Sequence, residues 1–226
     1  GKLRLDQPIS DILPAFARMQ VLTSADAPID QTVAAEHAIT IRHLLTHTAG
    51  LGYTIIQRGP IKAAYEAAGI VPAQVSRLSI PGISNAVPAP SLEAFADRLA
   101  TLPLVYQPGA RWSYSISLDL LGRIIEVVSG QPFDAFLKAR IFDPLGMVST
   151  SFRVSEGQAD RLSSNYAPFG GALIPIDPAT TSIYRDAPAF PFGGAGLVSS
   201  ARDYDRFLNM LANHGELGGE RILSSE

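Results

Sequence analysis

Apolar side chains recur at helical spacing in several stretches of the chain, and most of these stretches are bounded by residues typical of helix ends. Thr40 and Ser91 each precede such a stretch, where a side-chain oxygen can cap the first turn. Gly50 and Gly130 follow the stretches that they end. The pattern predicts helices over residues 9–13, 41–47, 61–68, 92–102, 118–128, 132–141 and 201–214.

Shorter runs between these helices predict three strands, at Ser151–Val154, Ala172–Ile176 and Gly196–Ser199. Ser200 and Asp203 have the spacing of a capping box that opens the last helix, with Asp in the place of Glu. A Gly-Gly pair at residues 218–219 predicts a tight turn. The sequence contains no internal repeat and shows no clean domain boundary.

Residues 52–90 interrupt this regularity. A short helical piece at 61–68 is followed by a run rich in Pro, Gly, Ser and Ala. Long irregular segments inside compact domains are usually lids, binding loops or mobile covers. We therefore predict that residues 52–90 cover a binding pocket.

The composition excludes several classes of protein. Hydrophobic residues make up 46% of the 226 residues and charged residues 17%, as in a globular rather than a disordered protein. The net charge of -3 and the scattered basic residues argue against a nucleic-acid partner. No apolar run is long enough for a membrane span. The absence of cysteine excludes disulfides, thiolate catalysis and thiolate metal sites.

The stretch 107–117 combines a turn with the start of a helix. Pro108 and Gly109 mark the turn, and the apolar periodicity of the next helix begins at Leu118. Tyr114 therefore lies where a loop meets a rigid element, which is a common position for a functional side chain. The alternative is that Tyr114 is a half-buried aromatic that packs at the helix entrance, as most loop aromatics do.

Two histidines have the sequence spacing that is typical of metal ligands on a helix. His43 and His47 are four residues apart on one predicted helix. The glutamate of a zinc-protease motif is missing, because Leu44 follows His43. We interpret both as packed or capping histidines and predict no metal site. His37 and His214 lie in polar loops and are predicted to be solvated.

Three further patterns lack the context that their chemistry needs. Residues 82–86 have Ala86 where a nucleophile elbow needs Gly, and prolines flank them. The glycines at 170–171 and 193–196 lack the ending of a phosphate loop. We predict that these glycines permit sharp turns or close backbone approach. A glycosidase pair stays open, but nothing selects one among the dispersed carboxylates of Asp97, Asp119, Glu126, Asp143, Asp203 and Asp205.

Four stretches of the chain resemble those of the beta-lactamase-like serine hydrolases, in that family's order. This family includes class C beta-lactamases, family VIII carboxylesterases, D-Ala-D-Ala carboxypeptidases and some acyltransferases. The matching stretches are Thr40–Leu51, Gln107–Ser115 with Leu121–Glu126, Pro144–Met147, and Gly193–Ser200 with Asp203, Tyr204 and Phe207.

The resemblance implies a mechanism with three side chains. A Ser attacks a carbonyl carbon of the substrate. A Lys three residues further on activates this Ser, and a Tyr assists proton transfer. A spacing of three places the Ser and the Lys on one face of a helix. Tyr114 matches the family's catalytic tyrosine. A phenol acts as a base near neutral pH only where neighbouring cations stabilise the phenolate, which the family's Lys does.

The chain lacks the Ser-x-x-Lys motif of that family. The residue three positions before Lys62 is Gly59, and the one before Lys138 is Ala135; Lys2 has no room for the motif. We therefore expect both ends to be cut from a longer protein. The nucleophile motif would lie before residue 1, and the family's Lys-Thr-Gly or His-x-Gly strand after residue 226.

The fold implied by the resemblance is α+β and beta-lactamase/transpeptidase-like, with a helical domain packed on an antiparallel sheet that this chain contains only in part. Ile116 replaces an Asn that helps hold the amide side chain of beta-lactams, which favours carboxylic esters. We thus expect a single domain over residues 1–226, truncated at both ends, that cleaves a small-molecule ester through an acyl-enzyme without a cofactor.

Residues 52–90 would cover the acyl or alcohol pocket, where apolar side chains suit a hydrophobic ester: Ile55, Ile56, Ile61, Tyr65, Ile70 and Val71. Three alternatives remain open: a beta-lactamase or D-Ala-D-Ala carboxypeptidase acting on an amide, an acyltransferase, and an inactive binding homologue. The oligomeric state and the compartment, bacterial cytoplasm or periplasm, also stay open.

Overall fold

The structure is a computed structural model that describes residues 2–78 and 86–225. The α-helices are α1 (Ile41–Leu45), α2 (Gly59–Ala67), α3 (Leu92–Ala100), α4 (Ser117–Ser129), α5 (Phe133–Leu137) and α6 (Ala201–Ala212). The strands are β1 (Gln20–Leu22), β2 (Thr32–Ala34), β3 (Asn165–Phe169), β4 (Ala172–Asp177), β5 (Glu216–Leu217) and β6 (Glu220–Arg221). Within the described ranges, no helix is long and apolar enough to cross a membrane.

Shorter helical turns connect these elements. A π-helical turn at Lys138–Phe142 continues α5 directly. The 3-10 turns lie at Ile9–Asp11, Pro14–Phe16, Glu156–Arg161, Ala179–Thr181 and Ile183–Arg185.

The caps predicted from the sequence form the starts of three helices. The side-chain oxygens of Thr40, Ser91 and Ser200 each accept a hydrogen bond from the amide three residues further on, at 3.2, 3.0 and 3.1 Å. At α1 the ring nitrogen Nδ1 of His43 also accepts the Thr40 amide at 3.3 Å, which completes a capping box. The interpretation of His43 as a capping residue is therefore confirmed.

Asp203 does not complete the capping box predicted for α6. Its carboxylate instead accepts hydrogen bonds from the Ser149 amide at 2.6 Å and from the Thr150 hydroxyl at 2.9 Å. The side chain is almost fully buried. A buried carboxylate needs several donors, and here a segment distant in sequence supplies them.

The described strands form three separate two-stranded antiparallel sheets, β1–β2, β3–β4 and β5–β6. This confirms the mixture of helices with antiparallel strands, the strand predicted at 172–176 and the turn at 218–219. The strands predicted at Ser151–Val154 and Gly196–Ser199 are wrong, because these segments meet in a single bridge between Ser151 and Val198. The Val154 amide, three residues after Ser151, donates instead to the Tyr184 carbonyl, so the pairing with residues 196–199 does not continue.

The chain divides into two compact units. Unit 1 comprises Gly1–Ala73, Ser79–Gly130 and Ala189–Ala195, and unit 2 comprises Gln74–Leu78, Gln131–Pro188 and Gly196–Glu226. In unit 1, α4 packs against both α1 and α3. In unit 2, α6 contributes to a core formed by the buried side chains of Phe142, Leu145, Met147 and Met210.

The described part of the predicted cover contributes largely to the core. Four of its six apolar side chains are buried, namely Ile61, Tyr65, Ile70 and Val71. Ile56 is about half exposed. The cover predicted for residues 52–90 therefore stays a prediction. Residues 82–85 of the stretch 82–86, considered above as a nucleophile elbow, lie outside the described residues.

Candidate functional site

Two of the stretches that resemble the serine hydrolases lie side by side in unit 1. We name residues 46–53 the His47 loop and residues 107–117 the Tyr114 segment. Three backbone hydrogen bonds join them, from the amides of residues 109, 113 and 116 to the carbonyls of residues 48, 47 and 52, at 2.8, 3.0 and 3.2 Å. The fold thus fixes the backbone on both sides of Tyr114 against α1 and the loop that follows it.

Gly50 allows this close approach. It has φ +82°, a backbone conformation that favours glycine. A Cβ atom at this position would lie 2.0 Å from the carbonyl oxygen of Tyr106, closer than nonbonded atoms can approach. Any other residue would push the His47 loop away from the chain that leads into the Tyr114 segment.

Tyr114 packs against two other aromatic rings, just before α4. Its ring centroid is 5.0 Å from that of His47 and 5.3 Å from that of Tyr53. These are distances at which aromatic rings attract each other. The side chain is 39% exposed. Tyr114 is therefore in contact with two aromatic neighbours while part of it remains open to solvent.

Three polar side chains connect the His47 loop to the start of α4. The ring nitrogen Nδ1 of His47 lies 3.0 Å from Ser115 Oγ, which lies 2.7 Å from Ser117 Oγ. Both serines are buried. Partial burial lowers the pKa of His47, because burial disfavours the charged imidazolium. A neutral imidazole has one donor and one acceptor nitrogen, which suits hydrogen bonding to a hydroxyl.

Asp119 anchors the first turn of α4. Its carboxylate is almost fully buried and accepts the Gly194 amide at 3.0 Å. Burial raises the pKa of Asp119 to about 6, although hydrogen bonds from the Gly194 and Gly193 amides act in the opposite direction. A Cβ atom at Gly193 would lie 2.0 Å from the Leu118 carbonyl oxygen. The close backbone approach predicted for these glycines is confirmed.

Tyr53 and Tyr65 of unit 1 keep their protons at neutral pH. Burial raises the pKa of Tyr53, and the nearby Asp119 adds to the effect. Burial also raises the pKa of Tyr65 to about 12, although the Gly52 amide donates to its phenol oxygen at 3.0 Å. The Tyr53 phenol is therefore a neutral group beside Tyr114 that can donate a hydrogen bond.

The structure brings His47 into the site and leaves His43 out of it. His43 caps α1, as described above. No group of three or more metal-ligating side chains occurs within the described ranges of the chain. His214 is exposed, as predicted.

The sequence did not reveal Tyr53 as a neighbour of Tyr114, or Asp119 as the buried carboxylate at the start of α4. Asp119 had one local indication, since an acidic residue in the first turn of a helix is favourable. Tyr53 lies in an irregular loop that has no periodicity to interpret. Its proximity to Tyr114 depends on the pairing of the His47 loop with the Tyr114 segment.

A family model described as Beta-lactamase matches residues 1–226. The chain belongs to the beta-lactamase family. Protein Rv1367c of Mycobacterium tuberculosis is 36% identical over 226 residues, which cover 100% of this chain and 52% of that protein. Esterase EstB of Burkholderia gladioli is 34% identical over 233 residues, covering 96% of this chain and 53% of the esterase.

The solved structures agree with this assignment. EstCE1, described as a hydrolase with promiscuous acyltransferase activity, superposes with a TM-score of 0.70 and 28% identity over 98% of this chain and 55% of EstCE1. The resemblance inferred from the sequence and the beta-lactamase/transpeptidase-like fold class are thereby confirmed. The chain spans about half the length of the curated relatives that it matches.

Proposed function

We propose that this chain is the part of a longer serine hydrolase in which Tyr114 assists proton transfer, and that the enzyme cleaves carboxylic esters through an acyl-enzyme. A Ser-x-x-Lys motif from sequence outside these 226 residues would supply the nucleophile and the cation near the phenol. The observation that supports this role is the placement of Tyr114. It is partly exposed at the start of a rigid helix and in contact with His47 and Tyr53.

Ile116 supports esters over beta-lactams as the substrate class. Its side chain is buried and provides no hydrogen-bonding group at the position two residues after Tyr114. An Asn at this position could hold the amide side chain of a beta-lactam, whereas an apolar buried side chain cannot. The name of a relative, esterase EstB, points in the same direction.

The test uses the full-length protein that contains this chain, with p-nitrophenyl esters of short acyl chains. We expect Tyr114→Phe to lower turnover by at least ~100-fold, the range for loss of a general acid–base group. Tyr166→Phe is the matched control, because it removes the hydroxyl of a tyrosine on the β3–β4 sheet that is about half exposed. Near-normal turnover in Tyr114→Phe would overturn the assignment.

The same preparation separates the alternatives. Hydrolysis of nitrocefin at a rate equal to that of the esters would favour a beta-lactamase. Transfer of the acyl group to an added alcohol in preference to water would favour an acyltransferase; EstCE1 is described as having promiscuous acyltransferase activity. An intact enzyme that turns over none of these substrates would favour a binding homologue.

A further inference from the structure

His47 has a left-handed backbone conformation. Its φ is +53°, in a region that residues other than Gly seldom adopt, although Asn, Asp and His are enriched there among them. Such conformations persist where the surrounding structure holds them, and they are frequent at functional sites. Helices commonly end with a residue in the left-handed conformation, and this residue is usually Gly and sometimes Asn. The imidazole itself therefore needs a separate explanation.

His47 contacts Tyr114 and both residues next to it in the sequence. The His47 carbonyl accepts the Ser113 amide at 3.0 Å, which fixes the residue before Tyr114. The His47 ring nitrogen Nδ1 lies 3.0 Å from Ser115 Oγ, which fixes the residue after it. The imidazole ring packs against the Tyr114 ring itself, with centroids 5.0 Å apart. His47 thus contacts the residue before Tyr114, the residue after it and the Tyr114 ring.

Ser115 extends this arrangement into the start of α4. Its hydroxyl lies 2.7 Å from that of Ser117, the first residue of the helix, and both side chains are buried. Hydrogen-bonded side chains in a buried environment rigidify the elements that they join. The position of the Tyr114 ring is therefore coupled to α1 and to α4 through His47 and the two serines.

We infer that His47 is a positioning residue that sets the orientation of the Tyr114 phenol through its bond to Ser115 and its ring contact. This inference rests on the proposed function, since it assigns a role towards the catalytic use of Tyr114. A phenol that transfers a proton must be held within a few tenths of an ångström of its productive position. His47 does not itself exchange a proton with substrate in this scheme.

The test compares two histidines with the same backbone conformation. His214 has φ +54° and is exposed in unit 2, so His47→Asn and His214→Asn impose the same chemical change on the same left-handed backbone. Asn tolerates this conformation well. In the full-length protein, we expect His47→Asn to lower kcat about tenfold or more with KM changed less than about twofold. His214→Asn should leave both constants within about twofold.

Two further measurements separate positioning from other roles. If His47 only positions the phenol, the pH profile of kcat/KM keeps its limbs at the same pH in His47→Asn. Loss of a limb would show a proton-transferring histidine and would overturn the inference. Ser115→Ala, which removes the hydroxyl that contacts both His47 Nδ1 and Ser117 Oγ, should also lower kcat. An unchanged kcat in Ser115→Ala would overturn the inference even if His47→Asn fails to fold.

The controls also distinguish failure of this inference from failure of the proposed function. If Tyr114→Phe is inactive while His47→Asn behaves like His214→Asn, the role of Tyr114 stands and that of His47 does not. If Tyr114→Phe is fully active, the proposed function fails, and the positioning role fails with it.

Discussion

The first turns of α4 and α6 are stabilised in different ways. Each helix has an aspartate as its third residue, and each carboxylate is buried against the backbone of a segment distant in sequence. At α6, Ser200 also caps the helix with its side chain. At α4 the equivalent position is Ile116, which provides no side-chain cap.

The difference shows that α4 forms without the polar N-cap side chain that helices usually have. A Ser, Thr, Asp or Asn before a helix is worth about 1 kcal/mol, and α4 lacks it at the position two residues after Tyr114. The start of α4 is held instead by the His47 loop, whose Gly52 carbonyl accepts the Ile116 amide, and by the contact with Gly193. Departures of this kind are expected at functional sites, where tertiary contacts replace local preference.

Forcing the backbone at Gly193 away from α4 should produce the largest effect on stability. Gly193→Ala would place a Cβ atom 2.0 Å from the Leu118 carbonyl oxygen, so the backbone must move. We expect a loss of ~3 kcal/mol or more in the free energy of unfolding, measured by urea titration. Gly157→Ala is the matched control, because nothing lies within 4 Å of a Cβ atom there. Equal urea midpoints for the two variants would contradict the prediction.

The buried carboxylate of α4 should give stability a measurable pH dependence. Burial raises the pKa of Asp119 from 3.8 to about 6, so the folded state binds this proton more tightly than the unfolded state. The contribution of Asp119 to stability is therefore most favourable below about pH 4, decreases as the pH rises towards 6 and changes little above that. The full change is on the order of 3 kcal/mol.

The measurement compares the urea midpoints of the protein and of Asp119→Asn between pH 4 and pH 7. The variant lacks the titrating group, so we expect its stability relative to the unmodified protein to improve as the pH rises. Asp205→Asn, which removes an exposed carboxylate, controls for the change in net charge. A difference that is constant over this pH range would contradict the raised pKa of Asp119.

The cap at α6 should give the smallest of the three effects. Ser200→Ala removes the acceptor for the Asp203 amide, and we expect a loss of ~1 kcal/mol in the free energy of unfolding. Ser155→Ala is the control, since Ser155 also precedes a helical turn but makes no side-chain cap. A loss in Ser155→Ala as large as that in Ser200→Ala would show that the hydrogen bond at α6 is not the cause.

Local pattern was sufficient to find most helices and the likeness to the serine hydrolases. The Ser91 cap and the apolar spacing after it predicted α3, which the structure places at Leu92–Ala100. Gly130, predicted to end α4, does so with φ +71°. These features depend on residues within a few positions of each other, and helical periodicity and capping are properties of such short stretches.

The tertiary structure decided which of these stretches meet. The sequence determined that Tyr114 precedes a helix and matches a family tyrosine, but the spacing of residues could not bring His47 to Ser115, 68 positions away. It also could not identify Ser149 and Thr150 as the donors to Asp203, or show that Gly193 contacts Leu118. Contacts of this kind depend on how helices and loops pack within each unit, which no local periodicity encodes.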